Sequence, residues 1–433
     1  MKSRIPIFIT AAFLILISLF SFSKRDFFGG AVSGTDSQIR NQESNRAKNT
    51  SAVSPNPLRN TPQAPPPDEK KNTARRATHT TVSPTASLIK GCLAKPAHDI
   101  NPCLDALFRP YITAYSTAYA LALVESLGNT DSGLRVSCHP VVHSIGRETF
   151  LRQKTIHDSF VACDQTCHSG CYHGAIERFL RGADSENGQE AHISEEELIA
   201  KIQGACSTSD ATRFRFQCLH GLGHALMFFL NYKLEKTLAT CDTLGDSWTR
   251  SSCFGGTFME NVFSATPEKR DLSSTDYHYP CSKLDAKYKN DCYMMQTTRM
   301  SEMGLTLDGL FTECRNAGVY KNICIQSIGR DLSNDARIKD PAVTSEKCEK
   351  GIGEEQNACI RGVIYALMDN TWTGKYAFPF CASFKNPQLR SYCFSASAAY
   401  LKTTYQKTNQ EIAKECATYL KEVSQCTAPL SSL

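Results

Sequence analysis

Apolar positions along this 433-residue chain fall into three regimes. Ile5 to Phe22 is one uncharged run, flanked by Lys2 and Arg4 on one side and Lys24 and Arg25 on the other. Eighteen residues reach the lower end of what crosses a hydrocarbon layer of about 30 Å, so the reading over 1–28 is a signal-anchor or transmembrane segment that holds the protein to a membrane. The weak small-x-small stretch Ser21-Phe22-Ser23 keeps cleavage and secretion as the alternative. From 29 to 87 apolar clusters almost vanish and Ser, Thr, Pro, Asn and charge take over, as in SPNPLRNTPQAPPPDEKKNTARR. Such a stretch buries too little apolar surface to offset its ordering entropy and reads as a disordered tether.

Beyond 87 the pattern changes to amphipathic segments of helical type, in pairs. In LEKTLATCDTLGDSWTRSSCFGGTFMENVF, 234–263, one segment ends at Cys241, a Gly-containing turn follows, and a second begins at Cys253. The layout recurs at Cys206/Cys218, Cys281/Cys292, Cys314/Cys324, Cys348/Cys359, Cys381/Cys393 and Cys416/Cys426, with successive first cysteines 33 to 40 residues apart. A fixed period of this length with two helices per unit is the mark of a helical repeat. The expected fold is all-α: a right-handed solenoid of about nine disulfide-stapled hairpins, with His-bearing repeats over 88–265 and repeats without that cluster over 266–433. Cys92/Cys103 opens the array, Cys163 and Cys171 take the two standard places of their unit, and Cys138 and Cys167 are paired as the two left over. Each bridge over so short a loop contributes roughly 3 kcal/mol in the chain-entropy description. A glycine often stands three residues after the second cysteine (Gly174, Gly221, Gly256, Gly362), which fits close helix–helix approach. The period and the stapled hairpins, over about residues 90–430, resemble tetratricopeptide and SEL1-like arrays, without those families' consensus residues. That resemblance implies a concave surface for a protein or peptide; no functional residue is carried over from it.

Twenty cysteines, none before Cys92, decide the compartment. This density in ordered spacing belongs to an oxidising environment, so the bulk of the chain is expected in a periplasm, at a cell surface or in a secretory lumen. A reduced protein rich in zinc knuckles would need CxxC pairs, and there are none. A net charge of +5, with no basic stripe interleaved with aromatics, argues against a nucleic-acid partner.

The histidines carry the candidate chemistry. There are eleven, the last is His278, and the cysteine repeat continues far beyond it, so they are no part of the repeat itself. Aligned on the second cysteine, the residue two further on is His173, then His220; the residue six further on is Glu177, then His224. Positions four apart share one helix face. One unit earlier, His143 in HSIGR takes the place of His173 in HGAIE and His220 in HGLGH. The expectation is a divalent transition metal (zinc, iron or copper) held by His143, His173, His220, His224 and Glu177. His139 and Glu260 stand as further ligands or as partners behind the ligands, and Arg147 and Glu148 as partners behind them. In a hydrolytic reading Glu177 would be the base acting on a metal-bound water. No GxSxG, lone nucleophilic cysteine or phosphate-cradling glycine loop appears, so an enzyme is not established by motif. CxxxCH at 163–168 is a poor haem attachment site, because the repeat already assigns Cys163. The methionines around 294–303 read as core filler. The rival to metal binding is a non-enzymatic envelope scaffold holding a protein, peptide or glycan on its concave face.

Overall fold

A computed structural model describes residues 84–182, 194–207, 211–264 and 267–427. The run Ile5–Phe22 and the segment 29–83 lie outside the described residues. Among those described, no helix is long and apolar enough to cross a membrane.

The described chain is all-α, without strands. Its helices are α1 (Ala86–Leu93), α2 (Ala97–Ala114), α3 (Thr117–Thr130), α4 (Ser132–Val136), α5 (Cys138–Gln153), α6 (Ile156–Ala162) and α7 (Thr166–Arg181). Then come α8 (Glu195–Gln203), α9 (Thr212–Phe229), α10 (Leu234–Asp242), α11 (Ser247–Phe263), α12 (Ala286–Glu302), α13 (Leu307–Asn316) and α14 (Lys321–Ile338). The last are α15 (Pro341–Glu349), α16 (Glu354–Asp369), α17 (Ala377–Ala382), α18 (Pro387–Thr404), α19 (Asn409–Tyr419) and α20 (Ser424–Thr427).

Local chemistry sets where many of them start. Ser194 and Thr408 form reciprocal capping boxes with Glu197 and Glu411. Asp246 and Thr306 accept the orphan amides of Thr249 and Gly309. At α15 and α18 an Asp or Asn cap is followed by a proline in the first turn, where a missing N–H costs nothing.

The long helices α5, α7, α9, α11, α12, α14, α16 and α18 form a row, each packed on the next, while the shorter helices fill the spaces between. Ten cysteine pairs cross-link the units with Cα–Cα separations of 5.3–6.2 Å: Cys92–Cys103, Cys138–Cys167, Cys163–Cys171, Cys206–Cys218, Cys241–Cys253, Cys281–Cys292, Cys314–Cys324, Cys348–Cys359, Cys381–Cys393 and Cys416–Cys426. All twenty cysteines are bridged, which points to an oxidising, extracellular or secreted setting.

Three neighbouring pairs in the row pack closest, through glycines that face backbone. A Cβ at Gly174 on α7 would overlap the His143 carbonyl on α5, and one at Gly146 the Cys171 carbonyl in return. Gly223 and Gly256 do the same between α9 and α11, Gly329 and Gly362 between α14 and α16. Each glycine gives up roughly 0.5–1 kcal/mol of helix propensity and gains backbone contact that no other residue permits.

Repeats far apart in sequence also meet. Trp372, in the turn after α16, sits 6.3 Å from Tyr172 of α7 and 5.9 Å from Phe214 of α9, with the Arg213 guanidinium 4.8 Å over its ring. The described helices form one compact unit in which the His-bearing repeats run on into those without histidine.

Candidate metal centre

Five imidazoles meet where α5, α7 and α9 cross. His139 and His143 project from one face of α5, His173 from α7, and His220 and His224 from one face of α9. Within each helix pair the rings are 4.7 Å (His139–His143) and 5.1 Å (His220–His224) apart. His173 lies between the pairs, with ring centres 5.2 Å from His139, 5.6 Å from His143, 5.3 Å from His220 and 4.8 Å from His224. The glycines make this density possible. A Cβ at Gly221 would meet the His173 backbone and ring at 3.1 Å, and the carbonyls of His143 and His220 lie where a Cβ on Gly174 or Gly256 would stand.

Two triads have ligand nitrogens within 4.8 Å of one another: His139, His143 and His173, and His173, His220 and His224. The rings are held from behind. His139 Nδ1 donates to the Cys167 carbonyl at 2.9 Å, and the Ser252 backbone favours a proton on the His220 ring. His224 Nδ1 lies 2.9 Å from Glu260 Oε2, and His143 Nδ1 faces Glu177 Oε2 at 3.9 Å. A carbonyl only accepts, so His139 carries its proton on Nδ1 and turns the Nε2 lone pair inward. That nitrogen is 3.1 Å from His143 Nε2. Ligating histidines are ordinarily backed in this way by a carboxylate or carbonyl on the nitrogen remote from the metal. Buried polar atoms without partners are the exception in folded proteins. Here both nitrogens of His173, 2% exposed, and Nε2 of His224 are buried and without a hydrogen bond.

Burial pulls all five imidazoles toward the neutral form. His139, His173 and His224 are driven well below the usual histidine range, each depressed further by its neighbouring rings. His220 falls to about 4, with its Ser252 bond opposing and the Arg330 charge adding. His143 drops less, because Glu177 faces it. Neutral imidazoles with free lone pairs are the protonation state that binds metal.

The backbone at the centre is unusual. Cys167, His168 and Ser169 hold left-handed φ values of 53°, 57° and 64°. Non-glycine residues pay of order 1–3 kcal/mol each for sparsely populated conformations. The turn aims the Cys167 carbonyl at His139 and lets α7 proper start at Gly170, whose missing Cβ leaves room for the His139 carbonyl and the His143 ring.

Carboxylates expected at the centre are engaged elsewhere. Glu177 takes a hydrogen bond from Arg147 Nη1 at 2.9 Å and an ion pair from Arg181 at 3.2 Å. Burial pushes its carboxyl up, but these guanidiniums outweigh it and hold the group well below the usual range. Its position is therefore behind His143. Arg147, 2% exposed, also donates to Asp105 from Nε and Nη2 and to Asn101. Glu148 is clamped by Arg109 at 2.8 and 3.1 Å, and Arg178 reaches Asp105 at 3.1 Å. Sequence reasoning missed Asn101, Asp105 and Arg109. Their spacing of four along α2 was the available sign. His139, expected as a partner or an additional ligand, stands within a triad. Glu260 backs His224 while accepting from Tyr232 at 3.1 Å, and burial lifts it to about 8. The methionines Met295 and Met300 belong to the core.

No family model, curated protein or solved structure matches the chain.

Proposed function

We propose that this is an exported helical-repeat protein that binds a divalent transition metal through the imidazoles of His139, His143, His173, His220 and His224. The observation that carries the reading is His173: a buried ring, unpartnered at both nitrogens, surrounded by four more imidazoles. A hydrogen-bond network built only to specify packing would leave no such ring. An all-imidazole donor set suits zinc or copper(II) better than the carboxylate-rich sets that favour magnesium, calcium or manganese. Glu177 in this reading orients His143 and balances charge. Held deep in its ionised form by Arg147 and Arg181, it is too weak a base to serve as the proton acceptor the sequence suggested. The row of stapled hairpins is read as a solenoid, carried away from a membrane by the segment 29–87 and anchored through Ile5–Phe22.

The test is calorimetric titration of the disulfide-intact, chelator-treated protein with zinc and with copper(II), beside the His173→Asn variant. Micromolar or tighter binding that the variant loses is the expected result. No binding by the wild-type chain ends the proposal.

A further inference from the structure

We infer that the centre holds two metal ions rather than one, with His173 shared between them. This rests on the metal-binding reading above and assigns each helix a share in it. The first ion takes His139 and His143 from α5, the second His220 and His224 from α9, and the ring of α7 donates one nitrogen to each.

Four observations support the division. The imidazole nitrogens fall into two triads, and His173 is the one residue common to both. Neither of its nitrogens is committed to a hydrogen bond, whereas His139 and His224 each spend one nitrogen on a fixed partner and His143 turns one toward Glu177. His139 Nε2 and His143 Nε2 face each other at 3.1 Å, a contact that an ion between them would replace; with it opened, four rings turning one nitrogen inward and one ring with two supply three donors on either side. The outer pairs are also far from equivalent neighbours: His224 is 6.0 Å from both His139 and His143, longer than any ring distance His173 makes. Finally, the two sides differ in exposure. His139 is only partly buried, while His143, His173, His220 and His224 are buried, so the one partly exposed ring belongs to the α5 side.

A neutral imidazole has one N–H. Coordinating a second ion through that nitrogen sends its proton to solvent and leaves His173 as a bridging imidazolate. Three nitrogens per ion leave a position open on each for water or an exchangeable ligand, as in sites that react rather than merely brace a fold.

Stoichiometry tests this directly, with zinc alone and copper(II) alone as probes and metal content measured after gel filtration. Two equivalents per chain are expected in the wild type. His139→Ala and His220→Ala should each retain one, since each leaves the other triad intact, and His173→Asn should lose both. In the copper-loaded wild type, electron paramagnetic resonance should count fewer spins than copper ions, because the bridge couples them. His220→Ala should restore one spin per copper. One equivalent in the wild type, weakened alike by His139→Ala and His220→Ala, would overturn the shared site while leaving metal binding standing. No bound metal at all would overturn both. Two equivalents with uncoupled spins would refute the bridge.

Discussion

Acidification of the metal-free protein probes the buried imidazoles directly. His220 is held to about 4 in the fold against 6.5 when exposed, so the folded state refuses a proton that the unfolded chain accepts. The group's folded value is lowered and its neutral form is the native one. Its stability contribution is thus complete above about pH 6.5 and lost as pH falls toward about 4. At about pH 5 the unfolded ring is almost fully protonated and the folded ring about one-tenth so, which linkage converts to roughly 2 kcal/mol of lost stability from this residue alone. The other four rings push the same way. The perturbation is His220→Gln, which keeps a buried polar side chain but cannot titrate. Urea unfolding of chelator-treated, disulfide-intact wild type and variant, at about pH 7.5 and about pH 5, gives a double difference. The variant should lose about 2 kcal/mol less than the wild type over that interval. Equal losses would mean that His220 protonates readily in the fold, and the picture of a neutral, inward-turned donor would fail.

Other expectations follow from the same geometry. Glu260→Gln removes the carboxylate behind His224 and should weaken metal binding about 10- to 100-fold, read by competition with a chromophoric chelator; unchanged affinity would free Glu260 of that role. Gly174→Ala drives a methyl group into the His143 carbonyl and should cost about 1–3 kcal/mol as overpacking, with metal affinity falling too. A neutral or stabilising effect in denaturation would show the two helices free to part. Arg147→Met removes the guanidinium that Asp105 and Glu177 share, leaving them only Arg178 and Arg181, and should cost about 3 kcal/mol; a melting temperature unchanged in the variant would contradict the network. Replacing both Cys348 and Cys359 by alanine should lower stability by about 3 kcal/mol without altering metal stoichiometry, since that bridge lies between α15 and α16, whose sequences hold no histidine.

The two-helix unit was legible because cysteines mark its boundary in the chain, and the bridged pairs are those that the spacing joins. The common register of His143, His173 and His220 was legible for a similar reason: each falls at one offset within its unit, and stacking carries equal offsets to one place. What escaped notice depends on geometry that no offset encodes. Glu177 shares the His224 offset, yet α2 and α5 bring Asp105 and Arg147 to that side of the row, and a guanidinium there claims the carboxylate. The left-handed turn at Cys167–Ser169 has no glycine to announce it. Glycines three residues after a cysteine stood out, while their counterparts Gly146 and Gly329 did not, because what they meet is the backbone of another helix, which no offset within a unit encodes.

The indole of Trp372, lodged between Tyr172 and Phe214, changes how such a chain can come apart. A strictly linear stack may be shortened from either end, each segment answering only to its neighbours. Here a late segment grips an early one across some two hundred residues of chain, so trimming the tail back past Trp372 would uncover the flank of the very helices that bear the imidazoles. Melting should accordingly run as one event rather than fraying from the end, and the imidazole cluster should feel the loss of residues it never touches.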